Sequence, residues 1–148
     1  MKPLDLALIY MARGWSVIPV SKEKLPLVGW KEYQYKRAEV SEILKWWQDN
    51  PGAQVGIVTG KISNLTVVDV ESDGDFNVIK GSKIVVKTGR GGRHYYFEYD
   101  PDFTNKVRLK DSLDIRSEGG YVVAPGSATK WGSYDVLEGK EAKPGQMP

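Results

Sequence analysis

The chain has no cysteine, one histidine, three methionines and three phenylalanines in 148 residues. Without cysteine there are no disulfides, no thiolate zinc sites and no cysteine nucleophile, and the composition is compatible with a reducing compartment. A dominant charge is also missing. Twenty-one Lys and Arg against nineteen Asp and Glu leave a formal charge of +2. No global field therefore draws the chain to nucleic acid, and any such binding has to come from a local patch. No apolar run approaches the ~20 residues of a membrane span, so no membrane partner is expected. The opening "MKPLDLALIYMARGW" is too weakly apolar and too helix-like for a signal peptide. These absences lead to the expectation of a soluble, cytoplasmic protein.

What is present is glycine (16), tyrosine (8) and short apolar runs. The length suffices for one domain, 1–148, that buries about 68–70% of the surface of its unfolded chain. Leu4, Leu8 and Met11, with Ala7 and Ala12, recur at helical spacing, and Gly14 is placed to stop that helix. "WSVIPV" reads as a strand and "SKEKLPLVGWKEYQYK" as a basic loop broken by Pro and Gly. Val40, Ile43, Leu44 and Trp47 trace one face of a second helix, capped by Ser41 or a neighbour and ended by "NPG". Seven short strands follow: "QVGIVTG", "LTVVDVE", "KIVVKT", "RHYYFEY", "SLDIRS", "GYVVAPGS" and "SYDVLEG". Two helices and then many strands predict an α+β domain. The stretch 139–148 reads as a frayed end or the start of a connection.

Four stretches suggest chemistry. In "TVVDVE", strand alternation places Asp69 and Glu71 side by side on one face, at the end of an apolar run. Like charges that close repel unless a cation sits between them, and in its absence their pKa values should be raised. Asp114 in "SLDIRS" supplies a third carboxylate, and together the three could hold Mg²⁺ or Mn²⁺, hard cations that favour oxygen ligands. A D-x-E pair in a strand is a weak signal, and a solvent-facing or turn-capping pair is the equal alternative. The second stretch is the Gly-rich basic turn "TGRGGRH", with Arg90, Gly92, Arg93 and His94. Backbone N–H groups in such turns bind anions, and Arg grips phosphate bidentately; a plain hairpin turn is the alternative. With one face of that strand in the core, His94 falls on the other. In the third stretch Asp114 and Arg116 share a face, either as a surface ion pair or as a metal ligand beside a phosphate ligand. In the fourth, Lys22, Lys24, Lys31 and Lys36 interleave with Trp30, Tyr33 and Tyr35. That pattern suits single-stranded nucleic acid, or a solvated loop with Trp30 packed on the core. Trp46 and Trp47 read as core and helix surface.

In their order, "ALIYMARGWSVIPV", "KLPLVGWKEYQ", "EILKWW", "VGIVTG", "NLTVVDVE", "TGRGGRHYYF" and "LDIRSEGGYVVAPGS" resemble the N-terminal bifunctional DNA primase/polymerase (prim-pol) family of the archaeo-eukaryotic primase superfamily. The resemblance covers roughly residues 6–135. It implies an RRM-like antiparallel sheet, about residues 61–138, packed with a small N-terminal α/β module, about residues 1–60. It implies a nucleotidyltransferase that adds NTP or dNTP to a primer or initiating nucleotide on a single-stranded DNA template. Asp69, Glu71 and Asp114 would be catalytic and hold a pair of Mg²⁺ or Mn²⁺ ions. His94 would contact the nucleotide's phosphates, with Arg116, Arg93, Arg90 and Gly92 nearby. Lys22, Lys24 and Lys31 would meet nucleic acid. A helicase domain or subunit is a frequent companion in the family, and plasmids, phages and integrated elements are its usual setting, which points to a nucleoid or mobile-element replication site. The zinc-binding insertion of some relatives is excluded here. The stretch "SDGDFNVIKGSK" is short for the family, so a helix there is expected to be reduced. A helical domain that some relatives need for initiation is not in this sequence. The rival expectation is a non-catalytic RRM-like module that binds nucleotide or single-stranded DNA beside a helicase. A second rival keeps the metals but uses water, as a nuclease or phosphohydrolase.

Overall fold

The structure, a computed structural model, describes residues 1–103, 106–110 and 112–139, without the side chains of 106–110. The stretch at 140–148, most of the expected tail, lies outside the described residues. Helix α1 spans Pro3–Ala12 and strand β1 Ser16–Val20, with Gly14 between them at positive φ, where a side chain would be strained. Helix α2 covers Val40–Asp49 and β2 Gln54–Val58. Then come β3 (Thr66–Val70), β4 (Ile84–Lys87), β5 (Arg93–Phe97), β6 (Lys106–Lys110), β7 (Leu113–Arg116) and β8 (Tyr121–Val123). The hairpin β9 (Ala128–Thr129) and β10 (Gly132–Ser133) precedes β11 (Asp135–Glu138). Residues 71–83 form turns and no helix, as the shortened stretch predicted.

The chain is α+β, and its sheets are antiparallel throughout. A six-stranded sheet runs β11-β4-β5-β3-β7-β6, and a three-stranded sheet runs β1-β2-β8. The smaller sheet takes its third strand from residues 121–123, after five strands of the larger sheet and before its last, β11. Pro19 sits in β1 without cost because β1 is an edge strand; its carbonyl still accepts from the Leu27 amide.

One main core joins the two sheets and the helices. Leu6, Tyr10, Val17, Ile43, Trp47, Val55, Ile57, Val67, Val86 and Tyr96 are all buried in it. The stripe expected on α1 differs from the one observed. Leu6, Ala7 and Tyr10 are buried, Leu4, Leu8 and Met11 only partly so, and Ala12 is exposed. "PLDLALIYMA" is apolar around most of its circumference, so periodicity does not select a face. The bond from Tyr10 Oη to the Pro125 carbonyl, 2.8 Å, is what orients it. On α2, Ile43 and Trp47 are buried while Val40 and Leu44 stay about half exposed. The stripe leans instead toward Trp46, whose ring meets Tyr33 edge-on at 5.0 Å. The cap of α2 is Glu39 rather than Ser41, in a reciprocal box with Glu42. A second, smaller cluster of Val70, Val85 and Tyr95, with Val68, Phe76 and Phe97, covers the opposite face of the large sheet.

Candidate active site

Register across the large sheet builds the site. His94 on β5 pairs with Asp69 on β3, and Asp69 pairs with Asp114 on β7. Residues directly opposite on antiparallel strands point to the same face, so the three form one row. The row two residues along holds Ile84, Tyr96, Val67 and Arg116. Its apolar members belong to the main core. One sheet face is therefore core at Tyr96 and polar at His94. The expectation that His94 falls on the face away from the core is corrected here. The sheet is covered on both sides, and His94 shares the face of Tyr96 and is itself buried.

The polar end of that face floors a cleft of about 660 Å³. Asp69, Glu71, Ser72 and Asp73 line it from β3 and the turn beyond, Thr88, Arg90 and Gly92 from the β4–β5 turn, His94 from β5, and Arg116 from β7. Lys24 and Trp30 close one side, with Gly120, Tyr121 and Tyr134. Trp30 packs on the core cluster, as the solvated-loop reading expects, and it also lines the cleft, its ring edge-on to Tyr121 at 5.2 Å.

Asp69 is held by His94, Arg116 and Lys24. His94 Nε2 lies 3.4 Å from its Oδ1, while His94 Nδ1 is buried with no partner among the described residues. Burial raises the Asp69 pKa, but the contact and charge of His94, with Arg116 and Lys24, outweigh it and hold the carboxyl below its usual value. The expected upward shift from carboxylate repulsion is thus reversed for Asp69, because His94, Arg116 and Lys24 stand around it. Arg116 Nη2 stands 3.6 Å from Asp114 Oδ2. Lys24 is lowered by burial first, then by Arg90 and Arg116, against the opposing pull of Asp69 and Glu71. Tyr134, whose ring lies 5.9 Å from that of His94, is pushed up to about 12 by burial and by the charge of Asp69.

The structure separates some of the residues the sequence grouped. Asp69, Glu71, His94, Arg90, Gly92, Arg116 and Lys24 all line the cleft. Asp114 lies beside Asp69 in the row but is buried and does not line it. Arg93 is on the other face of β5, its guanidinium 4.5 Å above the Phe76 ring. Lys22 and Lys31 are exposed and outside the cleft lining. The turn amides offered as an anion nest are partly used: Gly91 donates to the Thr88 carbonyl and Gly92 to Thr88 Oγ1. Asp73 escaped notice, although it continues the alternation of Asp69 and Glu71; its Oδ1 accepts from Ser112 at 2.6 Å. Tyr134 and Tyr121 also escaped notice, since only the fold brings 121–134 to the cleft.

Among the described residues no three His, Asp or Glu side chains are grouped so that they could hold a metal ion together. Asp69 and Glu71 nevertheless give two carboxylates to a cleft that also holds three cationic side chains. That donor set fits Mg²⁺ or Mn²⁺, because Mg²⁺ is usually held by one or two carboxylates and shares its remaining positions with water and substrate phosphates. Among the described residues no helix is long and apolar enough to cross a membrane. No individually curated protein matches the chain. A family model does match, over residues 7–148, and it is the bifunctional DNA primase/polymerase, N-terminal family, to which this chain therefore belongs.

Proposed function

We propose that the chain is a metal-dependent nucleotidyltransferase. It adds an NTP or dNTP to a primer end, or to an initiating nucleotide, on a single-stranded DNA template. Membership of a primase/polymerase family carries DNA and nucleotides as substrates. The observation that supports the chemistry is that His94, Asp69 and Glu71 line a cleft walled by Lys24, Arg90 and Arg116, with Asp114 buried beside Asp69 in the same row. A surface that only bound nucleic acid would gain nothing from acids at its centre, which repel phosphate. We also read the six-stranded sheet as the RRM-like core of the primase type.

In this reading Asp69 and Glu71 hold Mg²⁺ or Mn²⁺, with Asp114 as the adjoining third carboxylate. When bound, the ions offset charge on the attacking and leaving oxygens. The groups around Asp69 favour its ionised form, the form that would ligate a cation. The 3′-hydroxyl attacks the α-phosphate, a phosphodiester bond forms, pyrophosphate leaves and the hydroxyl proton goes to solvent. Lys24, Arg90, Arg116 and His94 act by position and charge on the phosphate oxygens rather than by proton transfer.

Primer extension on a labelled template with Mg²⁺ or Mn²⁺ tests the reading. Extension by the wild-type chain and its loss in Asp69→Asn are expected. Extension that persists in Asp69→Asn would remove the metal role from Asp69. Template degradation without extension would favour a hydrolase, and binding without either would favour the non-catalytic module.

A further inference from the structure

Beyond the cleft wall stands a ring with three cations over it. Trp131 is about one-third exposed, and Arg90 Cζ lies 4.2 Å, Lys130 Nζ 4.7 Å and Lys24 Nζ 4.9 Å from its ring centroid. None of the three cations forms an ion pair among the described residues. One ring cannot offset three positive charges, and of the three Lys24 also feels the cleft carboxylates Asp69 and Glu71, so the cluster keeps positive charge with which to meet an anion.

The mount is stiff. Lys130 and Trp131 are the two turn residues of the β9–β10 hairpin. The Lys130 amide donates to the Lys22 carbonyl at 3.0 Å, and Tyr121 Oη donates to the Lys24 carbonyl at 2.7 Å. The hairpin seats directly against the Gly-rich turn: a Cβ on Gly132 would lie 2.5 Å from the Gly89 carbonyl oxygen, and one on Gly89 2.8 Å from that of Gly132. The basic loop, the Gly-rich turn and the hairpin, distant in sequence, thus carry one cation each to the same ring.

Resting on the nucleotidyltransferase reading, we propose that Trp131 with Lys24, Arg90 and Lys130 is the platform that holds a single-stranded nucleic-acid strand at the rim of the cleft. A base stacks on Trp131 and the three cations take the flanking phosphates. A nucleoside triphosphate would occupy the cleft itself, where Lys24 and Arg90 reach in. Lys130 and Trp131 lie outside that lining, and a ligand that meets all four residues has to extend out of the cleft, as a strand does.

The test is binding of a fluorescent oligothymidylate to the full chain in EDTA, followed by anisotropy against salt concentration. Trp131→Ala should weaken binding about tenfold and Trp131→Phe should largely restore it, because a base still finds a ring. Lys130→Gln should lower the slope of log affinity against log salt by about 0.7, the value for one phosphate contact on a single strand. A fluorescent dNTP with Mn²⁺ should bind both variants as it binds the wild type. Unchanged strand affinity in Trp131→Ala and Lys130→Gln would overturn the platform. Equal loss of dNTP affinity would overturn it too and assign the cluster to the triphosphate. Because strand binding is read without metal, a chain that binds in this way but never extends a primer would refute the proposed chemistry and leave the platform standing.

Discussion

Asp69→Asn should cost stability as well as activity, and the cost should depend on pH. The substitution keeps the shape and removes the charge. In the native state that carboxylate stands 3.4 Å from a buried histidine, with Arg116 and Lys24 adding favourable charge. Its pKa is therefore lower folded than unfolded, so the folded state is stabilised when the group is ionised. The contribution is complete above the unfolded value, near pH 4, and is lost as pH falls through the folded one. A hydrogen bond to a charged group contributes about 1.5–3 kcal/mol when well formed. At 3.4 Å, with Asp69 partly exposed, about 1 kcal/mol is the better figure. In a chain of this size that corresponds to a Tm about 2–4 °C lower. Thermal unfolding of wild type and Asp69→Asn at pH 7 and pH 3 is the assay. The gap should be present at pH 7 and should shrink at pH 3, where the wild type has begun to lose the charge. A gap of equal size at both pH values, or a variant more stable than wild type at pH 7, would refute the view that His94, Arg116 and Lys24 outweigh carboxylate repulsion.

Three further outcomes follow from the same geometry. Mn²⁺ at about a hundred times its Kd should stabilise the wild-type chain by about 2.7 kcal/mol, roughly 5–10 °C in Tm, with EDTA reversing the shift and Glu71→Gln reducing it; a melt indifferent to Mn²⁺ would count against the carboxylate pair. Gly132→Ala should destabilise by about 1–3 kcal/mol, since Gly132 has φ 142° and its Cβ would meet the Gly89 carbonyl oxygen; a urea midpoint equal to wild type would show that the hairpin can lift off the Gly-rich turn. Ser63→Ala should cost about 2 kcal/mol, because Ser63 Oγ is buried, accepts from the Ser16 amide at 2.9 Å and donates to the Val58 carbonyl at 2.6 Å, tying the start of β1 to the end of β2; the same urea titration checks it.

Much of this protein was legible in the residue pattern because the relevant signals are local. Val-rich alternation marked β3, and the period of two put Asp69 and Glu71 on one face. Glycine and Pro punctuation placed seven of the strands, and Gly14 ended α1 through a backbone angle that other residues resist. A reduced helix in the stretch before β4 is expected from its shortness beside the family's pattern, and residues 71–83 form turns and no helix. What escaped was long-range. β8 leaves its neighbours in sequence to complete the small sheet, and the β9–β10 hairpin is too short to show a pattern. Which face of α1 is buried depends on what lies beneath it, and an evenly apolar helix leaves that open. The choice between His94 as core and His94 as site also lay outside the pattern, since one sheet face here carries both core residues and the cleft's polar ones. Asp69 draws its low pKa, against the opposing effect of burial, first from His94 and then from Arg116 and Lys24, all of which approach it from other parts of the chain. Charge acts through space, and the distances that set it exist only once strands in register and packed loops have brought these residues together.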